Sequence, residues 1–339
     1  MDKILIGPAP IMDIEHAYAP QLRAAGYELI IGQRKPLLTV PDLMQQLPGC
    51  VASLAGSEPY IPEVIAAGAA KGLRVLARAG VGYDAINVDA ATEHGIPVCI
   101  GPGTNDNAVG EHAMLLLLAQ AKQLVFQNVN TKAGNWPRKA FEPVRGKTVG
   151  IIGLGRTGKA FARRALAFDV RVVAYDPVVD SDFVSKYGVE IQSSPDDVFR
   201  QADFLSFHVP YKPDTHDYFN DRTAALMKPT ACLINTSRGE VINEATLFRV
   251  LTEKKLAGAG LDVYCGEPVK AGNPLASLDN VIMTAHTAGI DKQSRVDMAA
   301  AAAKAILTLL KGEWLPDGWV VNPEVKPKFL AKFAALSGK

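Results

Sequence analysis

The chain has 339 residues, of which 48% are hydrophobic and 21% charged, and its formal net charge is +1. This balance is typical of a globular protein with two domains, and it disfavours nucleic acid or an anionic membrane as the main partner. No apolar run reaches the ~18 residues of a membrane span, and the N-terminus lacks a signal-peptide pattern, so we expect a cytoplasmic protein. The four scattered cysteines (Cys50, Cys99, Cys232 and Cys265) predict free thiols, and with six dispersed histidines they form no metal-binding pattern.

Residues 1–100 alternate short apolar runs with helical patterns. Strands are predicted at Ile4–Ile6, Glu28–Ile31, Val51–Leu54, Arg74–Ala77 and Pro97–Ile100, and helices at Tyr18–Ala25, Val40–Leu47 and Pro62–Ala70. The alternation predicts a parallel sheet covered by helices. This unit contains no glycine-rich phosphate motif, so it is not an obvious cofactor site.

Two segments near the end of this unit carry further signals. Arg78–Asp84 follows a predicted strand, and its small residues would let backbone N–H groups face a small anion. The same pattern also fits a plain strand-to-helix turn.

Gly101–Asn105 is dense in turn residues and precedes a long helical pattern, Ala108 to about Gln127. We interpret the turn as an interdomain hinge, with a second hinge near Gly289, and the helix as a crossing between domains.

The segment Thr148–Pro177 contains the strongest motif in the chain. An apolar run, Val149–Ile152, leads into a glycine-rich turn, an alanine-rich helical pattern and a second apolar run, Val170–Tyr175, which ends at Asp176. A strand, glycine turn, helix, strand and acid in this order are typical of a dinucleotide-binding unit.

The three glycines and the acid of this motif each have a physical role. Gly153 would allow the tight turn out of the strand. Gly155 would let the backbone approach a pyrophosphate closely, and Gly158 would let the helix pack closely on the sheet. Asp176 would accept hydrogen bonds from the adenosine ribose hydroxyls and repel a 2′-phosphate. The motif therefore predicts NAD rather than NADP as the cofactor.

Three ionisable residues downstream each follow a predicted strand. Further strands are predicted at Phe204–His208, Cys232–Asn235, Gly260–Val263 and Val281–Thr284, and helices at Asp221–Leu226, Glu244–Glu253 and Ser294–Leu310. Arg238, Glu267 and His286 follow the last three strands, at the edge where open α/β sheets bind ligands. This set of side chains suits hydride transfer to a 2-oxoacid. The guanidinium can bind the substrate carboxylate, the carboxylate can orient the imidazole, and the imidazole can exchange a proton with the substrate. By position alone, they could equally be a surface ion pair, a loop carboxylate and a core histidine.

Several motifs resemble those of the D-isomer-specific 2-hydroxyacid dehydrogenases, and among them most of all the D-3-phosphoglycerate dehydrogenases. The matching motifs of this chain are GIIGLGRTG with YDP, HVP at 208–210, LINTSRGEVINEATL at 233–247, GAGLDVYCGEP at 258–268, AHTAG at 285–289, RAGVGYDAINVDAA at 78–91 and the run 105–111. The resemblance covers residues 50–312. It implies an α/β fold of two Rossmann-like domains with parallel sheets, in which an NAD-binding domain is inserted into a flavodoxin-like substrate domain.

The resemblance also implies roles for single residues. Arg238, Glu267 and His286 would be catalytic, Arg238 and His286 would also bind substrate, and the amides of Val81 and Gly82 would hold the substrate carboxylate. Asp262 would lie near the nicotinamide carboxamide. Further cofactor contacts are implied for Val109, Arg156, Thr157, His208, Val209, Pro210, Thr215, Thr236 and Ser237. The expected partners are a small 2-hydroxyacid or 2-oxoacid and a second copy of the chain, joined through the cofactor domains.

The resemblance also implies domain bounds, and the chain differs from the family pattern at a few positions. We expect residues 1–100 and 288–322 in the substrate domain, 101–287 in the cofactor domain and 323–339 in a surface tail. Ala108 stands where many members have serine, and Gly110 where alanine is usual; both changes are expected to be mild. The chain ends soon after its last predicted helix, so we expect neither an appended regulatory domain nor feedback inhibition by serine.

Two alternatives remain open at this point. A glyoxylate or hydroxypyruvate reductase would share the same chemistry, whereas a phosphorylated substrate needs an extra cationic subsite, for which Arg74, Arg78, Arg138 and Lys139 are candidates. Arg138 and Lys139 lie in a basic segment, 132–139, that also fits a solvated loop. The other alternative is an NAD(H)-sensing scaffold like the corepressors that share this fold, and a screen of NADH oxidation separates it from an enzyme.

Overall fold

The computed structural model describes residues 1–32 and 37–337. They form two compact units, the first made of Met1–Asn105 and Ile290–Lys339 and the second of Asp106–Gly289. The second unit is therefore inserted into the chain of the first. Each unit has its own sheet, and all strand pairs in both sheets are parallel.

Strands and helices alternate along most of the chain. The strands are β1 (Lys3–Ile6), β2 (Glu28–Ile31), β3 (Cys50–Ala55), β4 (Val75–Arg78), β5 (Val98–Cys99), β6 (Thr148–Ile152), β7 (Arg171–Tyr175), β8 (Glu190–Ile191), β9 (Phe204–Phe207), β10 (Cys232–Asn235), β11 (Gly258–Leu261) and β12 (Val281–Met283). The α-helices are α1 (Ala19–Ala24), α2 (Val40–Gln46), α3 (Pro62–Ala70), α4 (Val88–Glu93), α5 (Asp106–Ala121), α6 (Leu124–Lys132), α7 (Arg156–Leu166), α8 (Ser181–Tyr187), α9 (Pro195–Gln201), α10 (Asp221–Ala224), α11 (Glu244–Thr252), α12 (Lys292–Leu310) and α13 (Lys326–Ser337).

The first unit has the strand order β2-β1-β3-β4-β5. This is the flavodoxin-like order, in which the connections reverse direction between β1 and β3 and leave a crevice at the carboxyl ends of those strands. All six residues of β3 are buried, as expected for a central strand covered on both faces. On one face, α12 packs on β3 and β4 and contributes buried residues such as Ala302 and Ile306 to the core.

The second unit has the strand order β12-β11-β10-β9-β6-β7-β8. Numbered from β6, this is the Rossmann order 3-2-1-4-5-6 with one further strand at the edge, so the crevice lies between β6 and β9. The predicted α/β class with two doubly wound parallel sheets is confirmed. The strand β8 was not predicted, since one of its two residues is the exposed Glu190 and the segment therefore forms no apolar run.

Gly110 lies where α5 packs against α7. A Cβ at Gly110 would lie 2.8 Å from the backbone carbon of Ala160 and 2.9 Å from the nitrogen of Phe161. An alanine would therefore have to displace α7, the helix that follows the glycine turn. The expectation that Gly110 is a mild departure is wrong for this packing arrangement, because the sequence does not reveal which helix faces it.

The long helix predicted from Ala108 to about Gln127 is two helices. Gln123 has a left-handed φ of 46°, which ends the helical hydrogen bonding after Ala121, and α6 begins at Leu124. The whole of α5 belongs to the second unit. The units divide after Asn105 and after Gly289 rather than after residues 100 and 287, since the amides of Ile100 and Gly101 are bonded within the first unit to Trp319 and Gly80.

The segment predicted as a surface tail, 323–339, belongs to the first unit and contains α13 as far as residue 337. Phe329 is 2% exposed and its ring lies 5.9 Å from that of Trp314. The prolines and lysines of this segment suggested an irregular surface run, but its aromatic residues supply an apolar helix face. Residues 338 and 339 of the predicted tail lie outside the described residues.

Candidate active site

The glycine turn connects β6 to α7 in the second unit. Gly153 has a φ of 94°, and a Cβ there would lie 2.7 Å from the His208 carbonyl oxygen. A Cβ at Gly158 would lie 2.1 Å from the carbonyl oxygen of Gly153. Both positions therefore require glycine in this geometry. Gly155, by contrast, faces open space with no atom within 4 Å of a built Cβ, which leaves room for a phosphate beside the first amides of α7.

Asp176 follows β7 and reaches back to this turn. Its Oδ2 accepts a 2.6 Å hydrogen bond from the Leu154 amide, and its Oδ1 accepts a 2.8 Å bond from the Val178 amide. The carboxylate is thus held in place beside the glycine turn and remains partly exposed. Each oxygen has a further lone pair with which it can accept a ribose hydroxyl.

Two buried polar atoms face no partner among the described residues of the second unit. His208, after β9, is 7% exposed; its Nε2 lies 2.9 Å from Ser206 Oγ, but its Nδ1 has no hydrogen-bond partner in the part of the chain described. The Oγ1 of Thr236, after β10, is likewise without one there. Burial lowers the pKa of His208 to about 3, so its ring is neutral at pH 7 and able to accept or donate one further bond.

The other predicted cofactor residues lie on these same segments. Arg156 and Thr157 open α7, Val109 is buried in α5, Val209 and Pro210 follow His208, and Ser237 follows Thr236. Thr215 Oγ1 accepts from the Lys212 amide at 2.7 Å and lies 2.7 Å from the Pro210 carbonyl oxygen. Thr215 therefore shapes the loop after β9 by its own hydrogen bonds.

Glu267 and His286 form the closest charged pair of the predicted set. Glu267 Oε2 lies 2.6 Å from His286 Nδ1, and Glu267 Oε1 accepts a 3.0 Å bond from the Tyr264 amide. Burial raises the pKa of the Glu267 carboxyl, but the hydrogen bond and charge of His286, the Tyr264 amide and the Arg238 charge together lower it by more, so the pKa lies below its usual value. The carboxylate is therefore ionised at neutral pH and favours a charged imidazole beside it.

Arg238 is presented by a turn that Asn235 stabilises. The fully buried Asn235 side chain accepts from the Ser237 amide and hydroxyl at 3.0 and 2.7 Å and donates to the Arg238 carbonyl oxygen at 2.8 Å. The Arg238 charge acts on the Glu267 carboxyl. The next residue, Gly239, packs so closely on the loop after β11 that a Cβ would lie 1.9 Å from the carbonyl carbon of Tyr264.

Asp262 holds the loop that carries His286. It is fully buried; its Oδ1 accepts from Thr284 Oγ1 at 2.5 Å and from the Thr287 amide at 2.9 Å, and its Oδ2 accepts from the Ala288 amide at 2.8 Å. Its backbone carbonyl also accepts from the His286 amide at 2.8 Å. His286 has a left-handed φ of 53°, a conformation that this set of bonds can hold.

His112 of α5 completes this arrangement and was missed by the sequence analysis. Its Nε2 lies 2.9 Å from Thr284 Oγ1 and 3.5 Å from Asp262 Oδ1. Residue 112 lies directly after the matched run 105–111 and carried no local signal, because its role depends on the packing of α5 against β10 and β11.

Val81 and Gly82 lie in the first unit, in the loop after β4. Gly80 has a φ of 139°, which turns the chain sharply after the strand, and the described residues offer no hydrogen-bond acceptor to the amide of Val81 or Gly82. Both residues are half-buried. The geometry is that of a small loop with amides available to an anion.

The described residues contain neither a metal-binding cluster nor a membrane-spanning helix. No group of three or more His, Cys, Asp or Glu side chains there is placed to hold a metal ion. Within the same residues, every helix is too short or too polar to cross a membrane.

Comparisons with known proteins identify one family. The model of the D-isomer specific 2-hydroxyacid dehydrogenase NAD-binding domain matches residues 114–288. D-3-phosphoglycerate dehydrogenase of Archaeoglobus fulgidus is 36% identical over 305 residues, which cover 88% of this chain and 57% of that protein. Glyoxylate reductase of Korarchaeum cryptofilum is 37% identical over 276 residues, which cover 79% of this chain and 81% of that protein.

Solved structures give the same fold over nearly the whole chain. A Thermus thermophilus protein has a TM-score of 0.83 and 30% identity, with 94% of this chain and 99% of that chain covered. D-lactate dehydrogenase of Aquifex aeolicus, solved with NAD and lactic acid, has a TM-score of 0.82 and 24% identity, with 94% and 99% covered. The chain spans only a little over half the length of the first curated relatives it matches, 57% for that of Archaeoglobus fulgidus.

Proposed function

This chain belongs to the D-isomer-specific 2-hydroxyacid dehydrogenase family, and we propose that it interconverts a D-2-hydroxyacid and its 2-oxoacid with NAD as the cofactor. The observation that carries the proposal is the 2.6 Å pair of Glu267 and His286, on whose carboxylate the charge of Arg238 also acts. These are an acid–base group, the group that orients it and a cation for the substrate carboxylate, all at the carboxyl edge of one sheet.

The second unit has the features that NAD binding requires. Open space at Gly155 and the N-terminus of α7 suit the pyrophosphate. The fixed carboxylate of Asp176 suits the adenosine ribose. The buried His208 Nδ1 and Thr236 Oγ1, which have no partner among the described residues, suit polar groups of the cofactor. When bound, the nicotinamide accepts or donates the hydride at the substrate carbon.

His286 is proposed to move the proton. Its Nδ1 is bonded to Glu267, which leaves Nε2 to face the substrate oxygen. In reduction the imidazolium gives its Nε2 proton to the carbonyl oxygen, and in oxidation the neutral ring takes the proton from the hydroxyl. Asp262 keeps the His286 loop in place through the Thr287 and Ala288 amides.

The substrate carboxylate is assigned to cationic and amide groups. Arg238 can form paired hydrogen bonds to a carboxylate and polarise the adjacent carbonyl. The first unit offers the amides of Val81 and Gly82, for which the described residues hold no acceptor, and the family resemblance favours them as donors to a substrate carboxylate. Fixing the carboxylate fixes the neighbouring carbonyl, which is the orientation that the reaction needs.

Replacing Glu267 with glutamine is expected to move the pH profile of oxoacid reduction. Reduction needs the charged imidazole, and the Glu267 carboxylate lies 2.6 Å from its Nδ1, where a negative charge favours the charged form of the ring. Glutamine keeps the hydrogen bond but removes the charge, so the alkaline limb of kcat/KM for reduction should fall at a pH lower by about one unit or more. The measurement is kcat/KM for reduction across pH in the parent and the variant.

The matched control for this prediction is Glu253→Gln, which removes an exposed carboxylate paired with Lys255 in the same unit. Its profile should coincide with that of the parent. A Glu267→Gln profile with an unchanged alkaline limb would show that the pair does not set the charge of the catalytic imidazole.

We also propose that two copies associate through their second units. Helix α6 has no buried residue, and large apolar side chains on α5 and α6 are exposed by 38–58% (Leu115, Leu124, Val125, Phe126 and Val129). An exposed apolar patch of this kind favours a protein interface, and the family resemblance favours a second copy as the partner.

Introducing a charge into this apolar patch is expected to shift the chain from dimer to monomer. Val129→Glu would place a carboxylate in the proposed interface, where it cannot be solvated. Light scattering measures the mass in solution, with Val178→Glu, an 80% exposed valine outside the patch, as the control. A parent protein of monomer mass, or a Val129→Glu protein that stays dimeric, would overturn the proposed interface.

A cytoplasmic location is proposed on the state of the cysteines. All four are free thiols in the structure, with three of them buried. Free thiols are usual in reducing compartments.

A further inference from the structure

Only some of the four cationic residues considered for binding a substrate phosphate lie where they could bind it. Arg74 precedes β4, on the edge of the sheet opposite to Val81, and pairs with Asp2 at 2.9 Å. Lys139 lies in the second unit over the Phe126 ring, 4.3 Å from its centre, and Arg138 is an exposed residue of the same loop. Within the first unit, Arg78 is the one of these four at the carboxyl edge of the sheet.

Glu58 is a buried acid at that same edge. It follows β3 by three residues and is 1% exposed. Its Oε2 accepts a 2.5 Å bond from the Gly56 amide. A Cβ at Gly7, after β1, would lie 3.0 Å from Glu58 Oε2, and one at Gly56 would lie 2.8 Å from Oε1. The carboxyl group thus fills a space that two glycines leave free between β1 and β3, where the strand order reverses.

The loop with the proposed substrate amides begins at the same point of the sheet. Ala55 and Arg78 are partners in the register of β3 and β4, and the Ala79 amide donates to the Ala55 carbonyl oxygen at 2.8 Å. Glu58 and Val81 each come three residues beyond this pair. Three residues span at most ~10 Å, so Glu58 and the amides that would hold a substrate lie on neighbouring loops at the carboxyl edge of the sheet, where the crevice of this unit opens.

The charges of Glu58 and Arg78 act on each other in this crevice. Burial is the largest influence on Glu58 and raises its pKa above the usual value, and the Gly56 amide and the Arg78 charge offset only part of that rise. Ser57 Oγ lies 3.4 Å from Arg78 Nη2, which places the guanidinium beside the loop of Glu58. A buried carboxylate next to a cation offsets the positive potential that would otherwise attract a second anion.

We propose that Glu58 makes this crevice select against a phosphorylated substrate, and that the substrates are small 2-oxoacids whose third carbon bears no anionic group. The inference rests on the proposed function. A phosphate dianion would meet a cation already offset by a buried carboxylate, whereas a hydroxyl or hydrogen at that carbon meets no repulsion. The activity would then be closer to that of a glyoxylate or hydroxypyruvate reductase than to that of the phosphoglycerate dehydrogenases to which the chain is similar.

The test compares hydroxypyruvate with phosphohydroxypyruvate, which differ only in the phosphate. In the parent, kcat/KM with NADH should be at least about tenfold higher for hydroxypyruvate, a difference of ~1.4 kcal/mol. Glu58→Gln keeps the size and the acceptor for Gly56 but removes the charge, so this ratio should fall by about tenfold or more, mainly through a lower KM for the phosphorylated substrate. Glu63→Gln, an exposed charge in the first turn of α3, should leave the ratio unchanged.

The parent measurement stands even where Glu58→Gln does not fold. Equal or better use of phosphohydroxypyruvate by the parent would overturn the inference and leave the proposed function intact. A folded Glu58→Gln protein with the parent's ratio would also overturn the role of Glu58. If the parent reduces neither compound nor any other 2-oxoacid while still binding NADH, the proposed function itself fails, and the inference fails with it.

Discussion

Replacement of His286 with asparagine is expected to lower kcat for oxoacid reduction by about 10²–10⁴. The imidazole is the group in the Glu267–His286 pair that can give a proton to the substrate oxygen. Asparagine retains a hydrogen-bond donor toward Glu267 but cannot deliver a proton at neutral pH. NADH affinity should stay near that of the parent, because the glycine turn and Asp176 lie on other elements of the unit. Steady-state kinetics and NADH fluorescence titration measure the two quantities.

His216 provides the matched control. It is also a histidine of the second unit next to a carboxylate, with its Nε2 3.8 Å from Asp217 and its side chain 53% exposed. His216→Asn should leave kcat unchanged. A His286→Asn enzyme that retains more than about a tenth of the parent kcat would assign the proton transfer to another group or to water.

Replacement of Gly239 with alanine is expected to cost more than about 4 kcal/mol of unfolding free energy, or to displace the loop that presents Arg238 and abolish activity. The added Cβ would lie 1.9 Å from the carbonyl carbon and 2.1 Å from the oxygen of Tyr264. These are backbone atoms of the loop that leads to Glu267, so neither side can move without separating Arg238 from the carboxylate. Denaturant unfolding and kcat/KM give the two effects.

The control for this prediction is an alanine substitution at Gly188, where the added methyl group meets no backbone atom. Gly188 ends α8 with a φ of 67°, and a Cβ there meets no atom within 4 Å. Gly188→Ala should cost about 1–2 kcal/mol from its left-handed conformation and leave kcat/KM unchanged. A Gly239→Ala protein that is as stable and as active as Gly188→Ala would contradict the close packing of the two loops.

The features that could be predicted from the sequence are local. The glycine turn has a fixed spacing between a strand and a helix, and its three glycines have the geometry that their positions required. Apolar runs predicted eleven of the twelve strands found among the described residues, since buried parallel strands are apolar at nearly every position. Arg238, Glu267 and His286 each follow a strand, so the topology of a parallel sheet was enough to place them on one edge.

The features that could not be predicted depend on contacts between distant segments. The resemblance implies that Asp262 lies near the nicotinamide carboxamide, and the sequence did not reveal that both of its carboxylate oxygens accept bonds from the His286 loop. His112 joins it from a helix about 150 residues earlier in the chain. Glu58 is buried only because Gly7 and Gly56 leave space for its carboxyl, and no periodicity in the sequence relates these three residues.

NADH oxidation with a panel of 2-oxoacids (glyoxylate, hydroxypyruvate, phosphohydroxypyruvate and bulkier compounds) is the direct test of the proposed dehydrogenase activity. We expect oxidation with at least one of them, a product of D configuration where the carbon is chiral, and a marked preference for NADH over NADPH because of the Asp176 carboxylate. NADH binding without oxidation by any compound would contradict the account and favour an NAD(H)-sensing scaffold, and equal rates with NADPH would contradict the role of Asp176.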